Sequence, residues 1–330
     1  MPQGRMSDAA MAMDRDLALE AVRVTEAAAL AASGLVGRGD EQAAEEAAIA
    51  AMGVALNGLA IDGRVVIGEE GGQSQLAAGA IIGAGGPHIE IALNALEGAS
   101  TTAKGGPNAL SVVALALKGG FLPVPDTYMD KIAVGPGLPQ GVVELDASPA
   151  KNLASLARAK SADISDLLVC ILDRPRHEEL IAHVREAGAR IMLIADGDVS
   201  GIIATTLPET GVDLFMGSGG AREGVLAAAA ITCMGGQMQA RLLLRSDSDR
   251  ARARTAGLGD PTRLYLMDDL ARGEVMFAAT GVTSGTMLRG VRRFHAGAIT
   301  HSLVVRSKSG TFRFIEAHHD FTRKSDQGLK

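Results

Sequence analysis

Leu-Leu-Val-Cys-Ile-Leu at 167–172 is followed by Glu-Glu-Leu-Ile-Ala-His-Val-Arg-Glu-Ala-Gly-Ala at 178–189 and Arg-Ile-Met-Leu-Ile-Ala at 190–195. The outer two pieces are short apolar runs of the kind found in buried strands, and the middle piece reads as a helix. Val212–Met216 adds a further strand, and a helix follows from about Glu223 to Met234. Strand alternating with helix is the signature of a mostly parallel sheet with helices on its faces, so the fold class expected is α/β.

Outward from this core, the N-terminal part reads as two helices. Leu17, Ala21, Val24 and Ala28 share one face of a helix from Asp14 to about Ser33, with Gly34 as its stop. Asp40 is a good N-cap for a second helix, Glu41 to Leu56, with Ala44, Ala48, Met52 and Leu56 on its buried stripe. Strands follow at Arg64–Ile67, His88–Leu93 and Ala109–Leu117. The first ends in Gly68-Glu69-Glu70-Gly71-Gly72 and the second in Asn94-Ala95-Leu96-Glu97-Gly98, so acidic residues stand just past two strand ends. Toward the C-terminus, Asp247–Arg254 reads as a charge-dense solvated stretch. Ser302–Arg306 and Thr311–Ile315 flank a Lys308-Ser309-Gly310 turn as a hairpin. Residues 1–13 read as a flexible tail, the last few residues as frayed, and a boundary near 150–160 divides two lobes, 14–155 and 156–330.

Composition narrows the function classes. The chain has 330 residues and a formal charge of −6 with no basic stripe, which argues against nucleic acid as a partner. An anionic ligand therefore needs local basic groups or a metal. Cys170 and Cys233 lie in apolar runs and read as buried, reduced core residues, and no Cys/His cluster suggests zinc. Residues 1–13 lack the apolar core of a signal peptide, and no stretch approaches the ~20 apolar residues of a membrane span. The expected location is the cytoplasm.

Two-metal phosphoester hydrolysis needs carboxylates converging on hard cations, and the two acidic strand ends are candidates for such a cluster. Read alone, Gly68-Glu69-Glu70 is a solvated turn with an acidic tip, which is the commoner use of such residues. The order of the pieces carries more weight: a helix with Glu45, a strand ending Ile-Gly-Glu at 67–69, then a strand ending Ala-Leu-Glu-Gly at 95–98. To these add Arg-Val-Thr-Glu-Ala-Ala-Ala-Leu-Ala at 23–31, Gly-Arg-Gly-Asp at 37–40, Ile-Asp-Gly-Arg-Val-Val-Ile-Gly-Glu at 61–69 and Pro-Asp-Thr-Tyr-Met-Asp-Lys at 125–131. Arg-Pro-Arg-His at 174–177, Ala-Asp-Gly-Asp-Val at 195–199, Gly-Ser-Gly-Gly-Ala-Arg-Glu-Gly at 217–224 and Ala-Thr-Gly-Val-Thr at 279–283 complete the series. In this order, from about Val22 to Ile315, they resemble the class II fructose-1,6-bisphosphatases, within the superfamily that includes the inositol monophosphatases.

The resemblance implies a layered α/β/α/β/α sandwich with a metal-binding N-terminal lobe and a substrate-binding C-terminal one. It implies Mn²⁺ or Mg²⁺ held by Glu45, Glu69, Asn94, Glu97 and Glu223, with Glu69, Glu97 and Asn94 nearest the chemistry. Substrate contacts fall on Glu97, Gly98 and Ala99, on Tyr128, on Arg174, Pro175 and Arg176, on Asp196, Gly197 and Asp198, and on Gly220. Arg174 and Arg176 suit the phosphate that is not cleaved, since guanidinium forks match its oxygens, and Asp196 and Asp198 suit sugar hydroxyls. Other readings stay open: Tyr128 as a half-buried strand-edge ring, the two arginines as a surface pair, Asp196–Asp198 as an ordinary turn. His177 reads as structural and His318-His319 as solvated.

The chain departs from the family pattern on the metal side. Asn94, Ala95 and Ala99 stand where the family has Asp, Pro and Thr, with Ser100, Thr101 or Thr102 as substitute hydroxyls. Glu45 replaces an Asp, and Glu70 is shifted by one place, with Gly71, Gln73 and Ser74 where acids are usual. An amide offers one neutral oxygen, and affinity for hard cations rises with ligand charge. The activity expected is hydrolysis of the 1-phosphate of fructose 1,6-bisphosphate, or of sedoheptulose 1,7-bisphosphate, by a homo-oligomer. The alternatives are a catalytically weak sugar-phosphate binder and a monophosphatase of inositol type.

Overall fold

The computed structural model describes residues 15–69 and 74–323. The expected tail at 1–13, Glu70 with Gly71 to Gln73, and the residues after 323 lie outside the described residues.

The described chain runs α1 (Arg15–Ser33), α2 (Glu41–Asn57), β1 (Asp62–Ile67), β2 (Ile81–Ile82), β3 (His88–Glu97), α3 (Ala99–Lys104), β4 (Leu110–Ala116) and β5 (Tyr128–Val134). Next come α4 (Pro149–Lys160), β6 (Leu168–Leu172), α5 (Glu178–Glu186), β7 (Arg190–Ile194), α6 (Asp198–Ala204), β8 (Leu214–Gly220), α7 (Ala221–Met234) and β9 (Gln237–Leu243). The remainder is α8 (Asp247–Thr255), β10 (Tyr265–Leu266), α9 (Met267–Leu270), β11 (Val275–Gly281), β12 (Arg292–Phe294), β13 (Gly297–Arg306) and β14 (Thr311–Asp320).

Local chemistry accounts for many of these boundaries. The Asp40 carboxylate accepts the Ala43 N–H at 2.9 Å and so starts α2. At α4, Ser148 caps, Pro149 occupies the first turn, and Ser161 ends the helix in the left-handed region. The charged stretch Asp247–Arg254 is mostly exposed, as expected, and forms the helix α8. Ser246 and Asp249 form a reciprocal capping box that satisfies two of its orphan N–H groups.

Two compact units result, Met1–Phe121 with Arg272–Lys330, and Leu122–Ala271. The boundary expected near 150–160 falls inside the second unit, because Leu153 and Leu156 of α4 belong to that unit's core. The C-terminal strands return to the first unit because β11 pairs along β4 and β13 along β11.

The first unit has an eight-stranded sheet ordered β12-β13-β11-β4-β3-β1-β2, with β14 also on β13. Helices α1 and α2 lie on it. Ala21, Val24, Ala28, Ala44, Ala48, Met52 and Leu56 share one cluster with Ile89, Ile91, Val113, Leu115 and Val304. Alanine at the contacts removes the bulk that would hold helix and sheet apart, and every residue of β4 is buried. The β13–β14 hairpin is longer than expected, with Gly297 opposite Asp320 and Arg306 opposite Thr311. His319 is not solvated. It is 6% exposed, with Nε2 2.8 Å from Thr300 Oγ1, which in turn donates to Glu26 at 2.9 Å. His318 is exposed, as expected.

The second unit has a six-stranded sheet ordered β10-β9-β5-β8-β6-β7. The mostly parallel expectation holds only for β6 with β7 and β8, since β5 pairs antiparallel with both β8 and β9. Leu153, Leu156 and Val184 pack with Val169, Ile171, Leu214 and Met216. Ala227, Ala228, Ala229 and Ala230 of α7 are fully buried, and Cys170 and Cys233 are buried and form no disulfide, as expected. Two mixed sheets with helices agree with the α/β class that the sequence predicts.

Candidate active site

In the first unit the acidic residues collect at one irregularity. Strand β3 continues to Glu97, so the expected Asn94–Gly98 loop is largely strand, and its register against β4 shifts between Asn94 (opposite Val112) and Glu97 (opposite Leu110). Such a bulge frees backbone N–H groups from the ladder, and each must find another acceptor. Side chains supply them: Ala95 N–H donates to Glu69 Oε1 at 2.6 Å, and Leu96 N–H to Asn94 Oδ1 at 3.1 Å. Glu69 follows β1 through Gly68, where a Cβ would collide with the Leu76 carbonyl. Glu97 is only 3% exposed, Gly98 turns the chain at φ 88°, and Ala99 opens α3. Thr102 Oγ1 donates to the Gly98 carbonyl, Ser100 Oγ accepts from Lys104, and Thr101 is buried. Glu45 lies on the exposed face of α2.

In the second unit the edge formed by β5, β8 and the turn at Pro175–His177 carries the polar groups. Tyr128 stands opposite Gly220 and Asp130 opposite Ser218 across β5–β8. Arg176 donates through Nη2 to the Ser218 carbonyl at 2.8 Å and through Nε to Ser218 Oγ at 3.1 Å. Its guanidinium lies 5.0 Å from the centre of the Tyr128 ring. His177 is buried and neutral by its bonds: Nε2 accepts the Ser218 N–H at 2.9 Å, so Nδ1 carries the proton that goes to the Leu172 carbonyl at 2.8 Å. Burial holds its pKa below the ordinary imidazole value. A Cβ at Gly217 would come within 3.1 Å of this ring.

Behind that edge sits a buried ion pair. Lys131, 1% exposed, is salt-bridged to Asp198 and donates to the Gly220 carbonyl at 2.9 Å. A Cβ on Gly219 would strike the Asp198 carboxylate, and one on Gly220 the Glu223 carboxylate, so the glycines make room for these acids. Burial, then the charge of Asp198, pushes the Glu223 carboxyl above its ordinary range. Asp130 is also raised by burial, against the opposing charge of Arg245. Asp196 folds back on the Gly197 N–H at 3.0 Å. Arg174 is extended just before the turn, Pro175 is its first residue, and Gly197, at φ 90°, is the N-cap of α6.

The family model described as bacterial fructose-1,6-bisphosphatase, glpX-encoded, matches residues 15–319. The chain belongs to this family. Three similar proteins carry the name D-fructose 1,6-bisphosphatase class 2/sedoheptulose 1,7-bisphosphatase. One, from Synechococcus sp. (strain JA-2-3B'a(2-13)), is 38% identical over 96% of this chain and 99% of its own length. Another, from Synechococcus sp. (strain JA-3-3Ab), is 39% identical over 93% of this chain and 96% of its own length. A third, from Synechococcus elongatus, is 39% identical over 94% of this chain and 97% of its own length.

The class II fructose-1,6-bisphosphatase family is one of metal-dependent phosphoric monoester hydrolases. Tested against that requirement, the donors here fit in kind: Glu69, Glu97 and Asn94 offer only oxygen, the choice of hard divalent cations. In position the match is thinner. Asn94 Oδ1 is engaged by Leu96, and among the described residues no three of His, Cys, Asp and Glu are grouped closely enough to hold an ion. On the other side of the family's chemistry, the structure joins Tyr128, Arg176 and Gly220 through Ser218 and the β5–β8 register, while Asp198 is committed to Lys131. Sequence reasoning missed Lys131, Ser218 and Arg245. Lys131 left one signal, a cation at the buried parity of β5 between Met129 and Ala133.

Proposed function

We propose that this chain hydrolyses the 1-phosphate of fructose 1,6-bisphosphate, with sedoheptulose 1,7-bisphosphate as a second substrate. The observation that carries the reading is full-length likeness to relatives named for both activities, at 38% identity over 96% of this chain in one case. Mn²⁺ or Mg²⁺ is the proposed cofactor, with Glu45, Glu69, Asn94, Glu97 and Glu223 as the residues that would hold it. When bound, such a cation supplies Lewis acidity and an activated water. Glu97, Gly98 and Ala99 contribute the substrate contacts of the first unit. In the second, Arg176 offers its fork to the phosphate that stays, with Tyr128, Arg174, Pro175 and Gly220 around it. Asp196 and Gly197 meet the sugar. Asp198 acts through Lys131, which fixes the Gly220 carbonyl. The enzyme is proposed to work in the cytoplasm as a homo-oligomer. Among the described residues no helix is long and apolar enough to cross a membrane.

A second reading, a sugar-phosphate-binding relative with little turnover, is favoured by Asn94, whose side-chain oxygen is turned to Leu96. Phosphate release from fructose 1,6-bisphosphate with Mn²⁺ or Mg²⁺, measured beside Asn94→Asp, separates the two. Metal-dependent release by the native chain, lost in Glu97→Gln, supports the enzyme. Silence in the native chain with gain in Asn94→Asp supports the binder.

A further inference from the structure

Tyr128 begins β5, a strand paired on both sides, and is 41% exposed, a large aromatic ring left open at the strand's end. Two guanidinium groups lie against it, those of Arg176 and Arg245, each with its central carbon 5.0 Å from the ring centre. They can therefore be no farther apart than twice that distance. Arg176 comes from the turn after β6. Arg245 comes from just past β9, whose last residue, Leu243, is the β-partner of Tyr128. Thr127 Oγ1 ties this strand end down by donating to the Leu243 carbonyl at 2.9 Å.

Two like charges at one ring repel, and a cation–π contact of about 0.5–1 kcal/mol at an exposed site does little to offset further crowding. Arg241, on the neighbouring strand, is neutralised by a bidentate pair with Asp146. Arg176 and Arg245 have no such partner among the described residues. Arg176 has committed Nε and Nη2 to Ser218, which points its remaining N–H donors elsewhere. Asp130, two residues along β5 on the same face as Tyr128, has its carboxyl raised by burial against the opposing charge of Arg245. The arrangement has the parts of a dianion clamp: two forks, a phenol hydroxyl, and an excess of positive charge with a rigid ring fixing the spacing.

We infer that Arg245 determines specificity for bisphosphates by binding, together with Arg176 and Tyr128, the phosphate that is not cleaved. This rests on the reading of the chain as a sugar-bisphosphate enzyme or binder. It adds to Arg176 and Arg174, which the family resemblance implies, a further arm from far along the chain.

The test uses fructose 6-phosphate, which carries only the remote phosphate and needs neither metal nor turnover to bind. Full-length protein, Arg245→Gln and the exposed control Arg158→Gln are titrated calorimetrically. Loss of a charge-assisted contact weakens binding by roughly tenfold or more, so Arg245→Gln falls by that factor and Arg158→Gln stays at parent affinity. Arg245→Lys, which keeps the charge without the fork, falls in between and carries the test if the glutamine variant does not fold. In turnover, Arg245→Gln raises KM for fructose 1,6-bisphosphate and leaves kcat, and the hydrolysis of fructose 1-phosphate, within about twofold. Parent affinity for fructose 6-phosphate in Arg245→Gln, or no binding by the parent, overturns the inference. Absence of phosphate release by the parent defeats the hydrolytic reading alone, because the titration still decides the role of Arg245.

Discussion

Glu69 Oε1 accepts the backbone N–H of Ala95 at 2.6 Å, so the carboxylate that follows β1 braces the bulge in β3. One side chain thus serves the fold and, on the proposal above, the metal. The two roles separate by substitution. Glu69→Gln keeps a carbonyl acceptor and loses the charge. It should hold the parent thermal midpoint without metal and lose most of the upward shift that Mn²⁺ produces. Glu69→Ala removes the acceptor as well and should also be destabilised in the metal-free state by about 1–3 kcal/mol, as expected for a backbone donor left without its bond. Equal midpoints for the two metal-free variants would show that the bond to Ala95 is dispensable.

Lys131 and Asp198 form a buried pair, and each is left as an uncompensated charge when the other goes. Lys131→Met or Asp198→Asn should each cost stability, by about 3–5 kcal/mol where a full charge is stranded. The double variant should cost less than the sum of the two. Urea denaturation of the four proteins measures the coupling, and strict additivity would mean that the pair is not linked in solution.

Gly219 has the Asp198 carboxylate where a Cβ would go. Gly219→Ala therefore pushes that acid off Lys131 and should destabilise by about 1–3 kcal/mol, the usual range for overpacking. Because Lys131 also holds the Gly220 carbonyl, fructose 6-phosphate affinity should fall with it. A Gly219→Ala protein with parent stability would show that the strand can shift freely here.

His177 is kept neutral by burial, so its folded pKa lies below the ordinary value of about 6.5. As pH drops through 6.5 the unfolded chain takes up a proton that the folded chain refuses, and stability falls. His301, lowered by the same cause, adds in the same direction. Denaturation midpoints should decline from pH 7.5 to 5.5, and His177→Gln, although less stable at pH 7.5, should show a shallower decline. An unchanged slope in the variant would assign the pH dependence elsewhere.

Much of the fold was legible because it is written locally. Asp40 caps α2 through a residue three positions on, and the Lys308-Ser309-Gly310 turn marks the β13–β14 hairpin. The misreadings have equally specific causes. Asn94–Gly98 looked like a loop because a bulge breaks the period of two at which strands are read. His319 looked exposed because its partners, Thr300 and Glu26, lie on β13 and α1.

The sequence by itself determined the elements, most of their ends, and the ordered motifs that mark the family. Those features depend on side chains within about four positions of each other or on the identity of short runs. Only the tertiary structure decided which charges meet. Lys131 finds Asp198, Glu69 finds Ala95, and Arg245 joins Arg176 at Tyr128. Each of these pairings is set by strand order and register, and no single strand or helix carries the information about which other one will lie beside it.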